Sequence, residues 1–333
     1  MLQRMSQKTS PIPPETRRRL SQYLSSPDTV FSQIVARVDH ECLNWSLAEE
    51  QGLEVFVRRD DRIDLMLSGN KFYKLHGHYL AWRAQQQRGA IASFGGAWSN
   101  HLYALAALGH LAGIPTIGFI RGEKPAQFSP TLRDVQAMGM RLCFISRQAY
   151  RRRHEAAFLS ELERHYALGE GVYWVPEGGA GKPGLLGCEQ LGACLGTLAF
   201  DDIVLACGTG TTLLGLLKGV GQCDNASAPR VTGVPVLKAG LSIALPILFE
   251  TALHHARFRL LQQFHCGGYA RVPEPLDRFV NDFHAETDLA IEPVYTGKVF
   301  WALAQLIQQR RYARGSRILV LHTGGMQGQR TLF

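Results

Sequence analysis

Residues 203–219 read IVLACGTGTTLLGLLKG. The first four, Ile203–Ala206, form a short apolar run suited to a buried strand. Gly208-Thr209-Gly210-Thr211-Thr212 follows, and residues 211–219 then carry the pattern of a helix. Strand, Gly/Thr loop and helix in succession is the repeating unit of parallel α/β sheets. Main-chain N–H groups and hydroxyls in such a loop, backed by the helix dipole, can surround a phosphate. The loop lacks the Lys-Ser/Thr ending of a nucleotide-binding P-loop. It also lacks GxGxxG with an acidic residue about 20 positions on, which disfavours a dinucleotide fold. A monoester phosphate fits better.

Working outward, the same alternation recurs from residue 54 onward. Strands are expected at Val55–Arg58, Ala90–Phe94, Thr116–Ile120, Arg141–Ile145, Val172–Val175, Ile203–Ala206, Val231–Val234 and Ile318–His322. Amphipathic helical stretches fall at 99–112, 131–139, 152–167, 211–219, 240–262 and 295–312. The pattern predicts an α/β fold with parallel sheets covered on both faces. Glycine clusters stand at strand ends: Gly95–Gly96, Gly178–Gly179, Gly208–Gly210 and Gly324–Gly325. In open α/β sheets ligands bind beyond the carboxyl ends of strands, so these clusters predict convergence on one ligand.

Composition bounds the alternatives. The 333 residues suffice for two domains. Hydrophobic residues make up 46% and charged residues 19%, as in ordinary globular proteins. No apolar run approaches the roughly 18–20 residues that span a bilayer, so no membrane role is expected. The first twenty residues are polar and basic, without the apolar core of a secretory signal, and read as a frayed tail on a cytoplasmic protein. The seven cysteines are scattered and form no CxxC pair, which indicates neither a metal site nor a disulfide framework. The net charge of +8 sits in Arg17–Arg19, Arg151–Arg153 and Arg310–Arg314. These runs read as solvated helix faces, and without a recognition motif no nucleic-acid partner is expected.

Three further stretches carry chemistry. In Ser68-Gly69-Asn70-Lys71-Phe72-Tyr73-Lys74-Leu75, a lysine stands at a constrained loop-to-helix start. Partial desolvation there lowers an amine's pKa and suits imine formation. In Ser93-Phe94-Gly95-Gly96-Ala97-Trp98-Ser99-Asn100-His101, an apolar strand ends and a helix opens. Its exposed N–H groups and Ser/Asn side chains suit a carboxylate, and N-capping by Ser99 or Asn100 is the plainer reading. Glu292-Pro293-Val294-Tyr295-Thr296-Gly297-Lys298 and His322-Thr323-Gly324-Gly325 add a tyrosine able to stack on a flat ring and hydroxyls able to bond a ring nitrogen. Together these are the parts a pyridoxal 5′-phosphate (PLP) enzyme needs, since the protein must hold phosphate, ring and amine.

In order and spacing, RRDD-x7-GNKxxKL, SFGGxxSNH, GTGTT, EPVYTGK and HTGG resemble the 1-aminocyclopropane-1-carboxylate (ACC) deaminase and D-cysteine desulfhydrase family, within the tryptophan-synthase-β-like, fold type II PLP enzymes. The likeness runs from about residue 54 to 325. It implies Lys71 as the Schiff-base lysine, with Ser99 and Tyr295 beside it as catalytic side chains. It implies cofactor contacts from Lys74, Asn100, Gly208, Thr209, Gly210, Thr211, Thr212, Tyr295, Thr296 and Thr323. Substrate contacts fall to Trp98, Ser99, Asn100 and His101. The implied architecture is a large PLP-binding domain, 51–78 and 172–333, with a smaller inserted α/β domain, 79–171, and a partly flexible extension, 1–50. The cofactor lies in the interdomain cleft. A homodimer acting on a small amino acid is implied as well.

Within the family, ACC deaminases typically carry Glu after the VY tyrosine and Leu in the last strand's HxGG. Here those positions are Thr296 and Thr323, as in the desulfhydrase branch, which His101 also resembles. A carboxylate beside the pyridine nitrogen would strengthen the electron sink. Opening a cyclopropane needs that help, whereas β-elimination needs less because the leaving group takes the charge. The expected activity is therefore desulfhydrase-like elimination giving pyruvate, ammonia and sulfide, with Lys71 as general base. ACC deamination to 2-oxobutanoate and ammonia, or another fold type II activity such as dehydration or racemisation, are the enzymatic alternatives. A PLP-binding protein without useful catalysis is the non-enzymatic one. Tyr73, where Arg is common, and Trp98 are expected to reshape the substrate pocket.

Overall fold

The structure is a computed structural model and describes residues 22–223, 228–237, 257–268 and 270–325. It contains two sheets. The larger has six strands in the order β1-β2-β10-β7-β8-β9. These are β1 (His40–Cys42), β2 (Glu54–Arg58), β7 (Asp202–Cys207), β8 (Arg230–Pro235), β9 (Phe258–Leu260) and β10 (Arg317–Leu321). The smaller has four, in the order β5-β4-β3-β6. They are β3 (Ile91–Gly95), β4 (Thr116–Arg121), β5 (Arg141–Ile145) and β6 (Tyr173–Val175). All pairings are parallel except that of the edge strand β1 with β2. Every residue of β3 and β7 is buried, which is why these strands read as continuous apolar runs rather than alternating ones.

Each of the eight expected strands is present, with ends displaced by at most one residue. Three expectations are corrected. Residues 258–260, placed in a helical stretch over 240–262, form β9, whose Phe258 pairs with Val231 of β8; residues 240–256 lie outside the described residues. The helix expected over 152–167 is shorter, Ala156–His165, and a separate short helix, Arg147–Arg151, precedes it. Between them Arg152 pairs with Glu155 and Glu161.

The third correction concerns domain boundaries. β6 pairs with β3, so the smaller sheet extends past the expected cut at 171/172. The helix Asn70–Arg83 runs through the cut expected at 78/79. Residues 27–42 are part of the larger unit rather than an extension. The helix Pro27–Arg37 buries Phe31, which stacks on His76 at 3.6 Å, and β1 joins the larger sheet. Apolar contact with the core, invisible to local composition, recruits that segment. Residues 1–21 lie outside the described residues.

Helix packing sets where the loops point. Helices Lys182–Gly196 and Thr211–Gly221 are in such close contact that a Cβ on Gly219 would lie 2.1 Å from the Glu189 carbonyl. Only glycine allows that approach. It fixes the N-terminus of the second helix, and with it the Gly208–Thr212 loop, beside the start of helix 70–83.

Candidate active site

Lys71 is the second residue of helix 70–83. The helix can begin there because Gly69 takes φ 64°, and a Cβ on Gly69 would lie 2.0 Å from the Thr323 carbonyl. Any other residue would be strained and would push away the loop after β10. The Gly-Asn-Lys start is thus clasped to the end of the last strand. Lys71 Nζ donates to Asn70 Oδ1 at 2.8 Å, and Asn70 Nδ2 reaches Thr212 Oγ1 at 3.4 Å. That chain of contacts ties the lysine to the Gly/Thr loop.

Lys71 lines a small cavity with Leu65, Met66, Ser68, Asn70, Asn100, Tyr103, Ala104, Tyr295, Thr323, Gly324 and Gly325. Four expected site residues therefore meet here: Lys71, Asn100, Tyr295 and Thr323. Burial, helped by the neighbouring Lys74 ammonium, holds the Lys71 amine well below the ordinary lysine range. Lys74, one helical turn on, is itself buried and lowered by burial, and donates to the Gly178 carbonyl at 3.3 Å. Among the described residues neither amine has a carboxylate partner. Burial without a counter-ion disfavours the charged form of both amines, and an anion bound beside them would favour it again.

The Gly208–Thr212 loop connects β7 to helix 211–221. Gly210, at φ 86°, is the residue before the helix, and Thr209 Oγ1 lies 3.2 Å from Thr211 Oγ1. A Cβ on Gly208 would meet nothing nearer than Tyr295 Cε1, at 4.0 Å, so the loop's surface is open towards that ring. Gly178 adjoins the same loop, its Cβ position 3.3 Å from Thr209 Cγ2. Unshielded N–H groups at a helix start, two hydroxyls and the nearby Lys74 amine suit a phosphate. The donor set fits a group with a phosphate at one end and an imine-forming ring at the other. Residues 208–212 and Lys74 would hold the phosphate, Tyr295 and Thr323 would flank the ring, and Lys71 would reach the carbonyl carbon.

Other expected residues are placed differently. Ser99 accepts from the Leu102 N–H at 3.2 Å, capping helix Asn100–Ala112, so the plainer reading holds for its hydroxyl here. His101 is buried and shares a 2.8 Å hydrogen bond with Ser93 Oγ, turned towards β3 rather than into the cavity lining. Burial and the amines of Lys71 and Lys74 hold it in the neutral form. Trp98 is half-buried and outside the lining. Tyr73 is also corrected: it is fully buried and bonds Asp60 and Arg58 in the core, not the pocket.

The two threonines separate cleanly. Thr323 lines the cavity, whereas Thr296 donates both its N–H and its hydroxyl to Glu292. Glu292 opens the EPVYTGK stretch. It accepts main-chain N–H groups of Val294, Tyr295 and Thr296, which fixes the turn that presents Tyr295. Burial pushes its carboxyl up to about 7. Tyr103 went unnoticed, although its place three residues after Asn100 puts it on the same helical face.

Comparison with known proteins agrees with this geometry. The family model described as pyridoxal-phosphate dependent enzyme matches residues 44–324. The chain belongs to that family, and its cofactor is PLP. A protein of Arabidopsis thaliana named bifunctional D-cysteine desulfhydrase/1-aminocyclopropane-1-carboxylate deaminase, mitochondrial, is 27% identical over 332 residues, covering 91% of this chain and 79% of its own. The D-cysteine desulfhydrase of Klebsiella pneumoniae subsp. pneumoniae is 26% identical over 304 residues, covering 84% and 89%. Among solved structures, an ACC deaminase homologue superposes with a TM-score of 0.70 at 24% identity, covering 87% of this chain and 90% of that one. The fold is that of the fold type II PLP enzymes.

Proposed function

We propose that this chain deaminates a small amino acid by β-elimination, D-cysteine being the substrate of choice, with pyruvate, ammonia and sulfide as products. The observation that carries the reading is that, among the described residues, no carboxylate lines the cavity that holds Lys71, whereas Thr323 brings a neutral hydroxyl to it. When bound, PLP supplies the electron sink for the charge left at Cα. A neutral hydroxyl beside its ring nitrogen leaves that sink weaker than a carboxylate would, which suits a leaving group that carries its own charge.

The chain's residues divide the remaining work. Lys71, whose pKa burial lowers, would carry the cofactor covalently and, once the substrate amine has displaced it, would be free to take the proton from Cα. Asn70 orients its amine through the 2.8 Å hydrogen bond. Asn100, at the opening of helix 100–112, places its amide where a substrate carboxylate meets the helix N-terminus. Tyr295 covers the ring site, and Glu292 holds it there. A cytoplasmic homodimer is the assembly and location that the family resemblance suggests.

The test is an absorbance spectrum of the PLP-reconstituted protein and of Lys71→Ala, followed by 2-oxo acid assays with D-cysteine, L-cysteine and ACC. We expect a visible band from lysine-linked cofactor in the wild type only, and pyruvate from D-cysteine. Product from ACC alone would overturn the substrate assignment. A band retained in Lys71→Ala would remove Lys71 from its role.

A further inference from the structure

The smaller sheet carries a second feature at its carboxyl edge. Arg121 ends β4, Arg147 and Arg151 lie on the short helix after β5, and Arg153 and Glu177 follow them. With Tyr150 they line an open surface cleft. Four guanidinium groups face one carboxylate, which leaves a surplus of three positive charges.

Partners distinguish these arginines from their neighbours. Arg152, in the same run, is spent on Glu155 and Glu161, outside the cleft. Arg153 is paired with Glu177 at 2.8 Å. Among the described residues Arg121, Arg147 and Arg151 pair with no carboxylate. Arg121 and Arg153 both stand over the buried Tyr150 ring, at 5.8 and 4.9 Å, and the Tyr150 hydroxyl donates to Glu177 at 2.7 Å. Stacking on one ring pre-positions both guanidinium forks. Such forks match carboxylate and phosphate oxygens in pairs, and a cleft of one sign draws counter-ions strongly.

Its position gives the cleft a relation to the candidate active site. An Arg121 guanidinium nitrogen lies 3.9 Å from the Cβ position of Gly96, in the loop that leads to Ser99 and Asn100. Glu177 directly precedes Gly178, whose carbonyl receives Lys74. The cleft thus adjoins both loops that approach the cofactor, yet shares no lining residue with the Lys71 cavity.

We propose that Arg121, Arg147, Arg151 and Arg153 form an anion-binding site for a multivalent anion of the phosphate or dicarboxylate type, separate from the cofactor phosphate site. The anion is either the acidic tail of an amino-acid ligand or an independent small molecule. The chemistry of recognition is the same for both.

Calorimetric titration of the full chain with inorganic pyrophosphate tests this, with the protein saturated in PLP so that the cofactor site is filled. Pyrophosphate should bind the wild type and Arg152→Gln equally. Binding to Arg121→Gln/Arg151→Gln should weaken by about tenfold or more, as loss of two charge-assisted contacts implies. No binding, an undiminished affinity in the double variant, or an equal loss in Arg152→Gln would each overturn the proposal. Circular dichroism melting of the variants checks that these exposed substitutions leave the fold intact. Repeating the titration with glutamate present separates the two sources. Competition identifies the tail of an amino acid, and unchanged affinity an independent anion; both outcomes support the site.

Discussion

Helix 70–83 has two sides that handle buried charge in opposite ways. On one, Tyr73 meets Arg58 and Asp60, all essentially inaccessible. Arg58 donates to Asp60 Oδ1 at 2.9 Å, to the Val35 carbonyl and to the Tyr73 hydroxyl, and contacts His40 Nε2. On the other, Lys71 and Lys74 are buried close enough to influence each other, and among the described residues neither has a carboxylate partner. The first side is largely self-satisfied and binds nothing; it holds β2 and helix 27–37 to the helix. The second leaves two amines that no carboxylate among the described residues partners, and an anionic ligand would complete them. Buried charge that finds its partner within the chain is structural, and buried charge that does not marks a site.

Three experiments sharpen or break this contrast. The largest stability effect should come from Arg58→Met, which leaves Asp60 buried without its cation. We expect a loss of about 3–5 kcal/mol in urea unfolding with little change in PLP affinity. A loss below about 1 kcal/mol would mean that the Arg58 side is not the structural one.

A smaller effect concerns acid. His76, on the same helix, is buried against Phe31 and Tyr23, and burial lowers its pKa from 6.5 to about 4. Below pH 6.5 the unfolded chain takes up a proton that the folded chain refuses until about pH 4. Stability is therefore present above pH 6.5 and falls with acid through that window, by roughly 1.4 kcal/mol per unit at most from this residue. Glu292, raised to about 7, acts in the opposite sense, since its folded form holds a proton that the unfolded form releases. His76→Gln should therefore lose about 2 kcal/mol less than wild type between pH 7 and pH 5. An identical pH slope in the two proteins would sink the assignment.

The smallest effect compares the threonines. Thr323→Val should lower kcat/KM by about tenfold, or ~1.4 kcal/mol, with stability nearly unchanged. Thr296→Val should instead lower stability by about 1 kcal/mol, because its hydroxyl serves Glu292. Reversed results would exchange their roles.

Much of the site was legible in the sequence because it is built from loop-to-helix junctions. Lys71, Asn100, Gly208–Thr212 and Tyr295 are all at or beside helix starts, where residue type and φ requirements leave a local trace. Asn100 and His101 are about 100° apart on a helix, so while Asn100 lines the cavity His101 turns to Ser93, a distinction that residue order does not reveal. Tyr73, two residues after Lys71, stands about 200° round the same helix, where it meets Arg58 and Asp60 instead of the pocket. The arginines of the 151–153 run looked alike as sequence, yet Arg152 pairs outward while its neighbours line a cleft.

By itself the sequence determined the strand-helix alternation, the glycine-bearing strand ends and the lysine at a constrained helix start. These rest on periodicity and backbone preference, which act over a few residues. Only the tertiary structure decided which threonine meets the cavity, that residues 27–42 belong to the larger unit, and that β6 completes the smaller sheet. Those outcomes depend on packing between segments far apart in the chain, where burial and hydrogen-bond partners are settled by neighbours that no local pattern names.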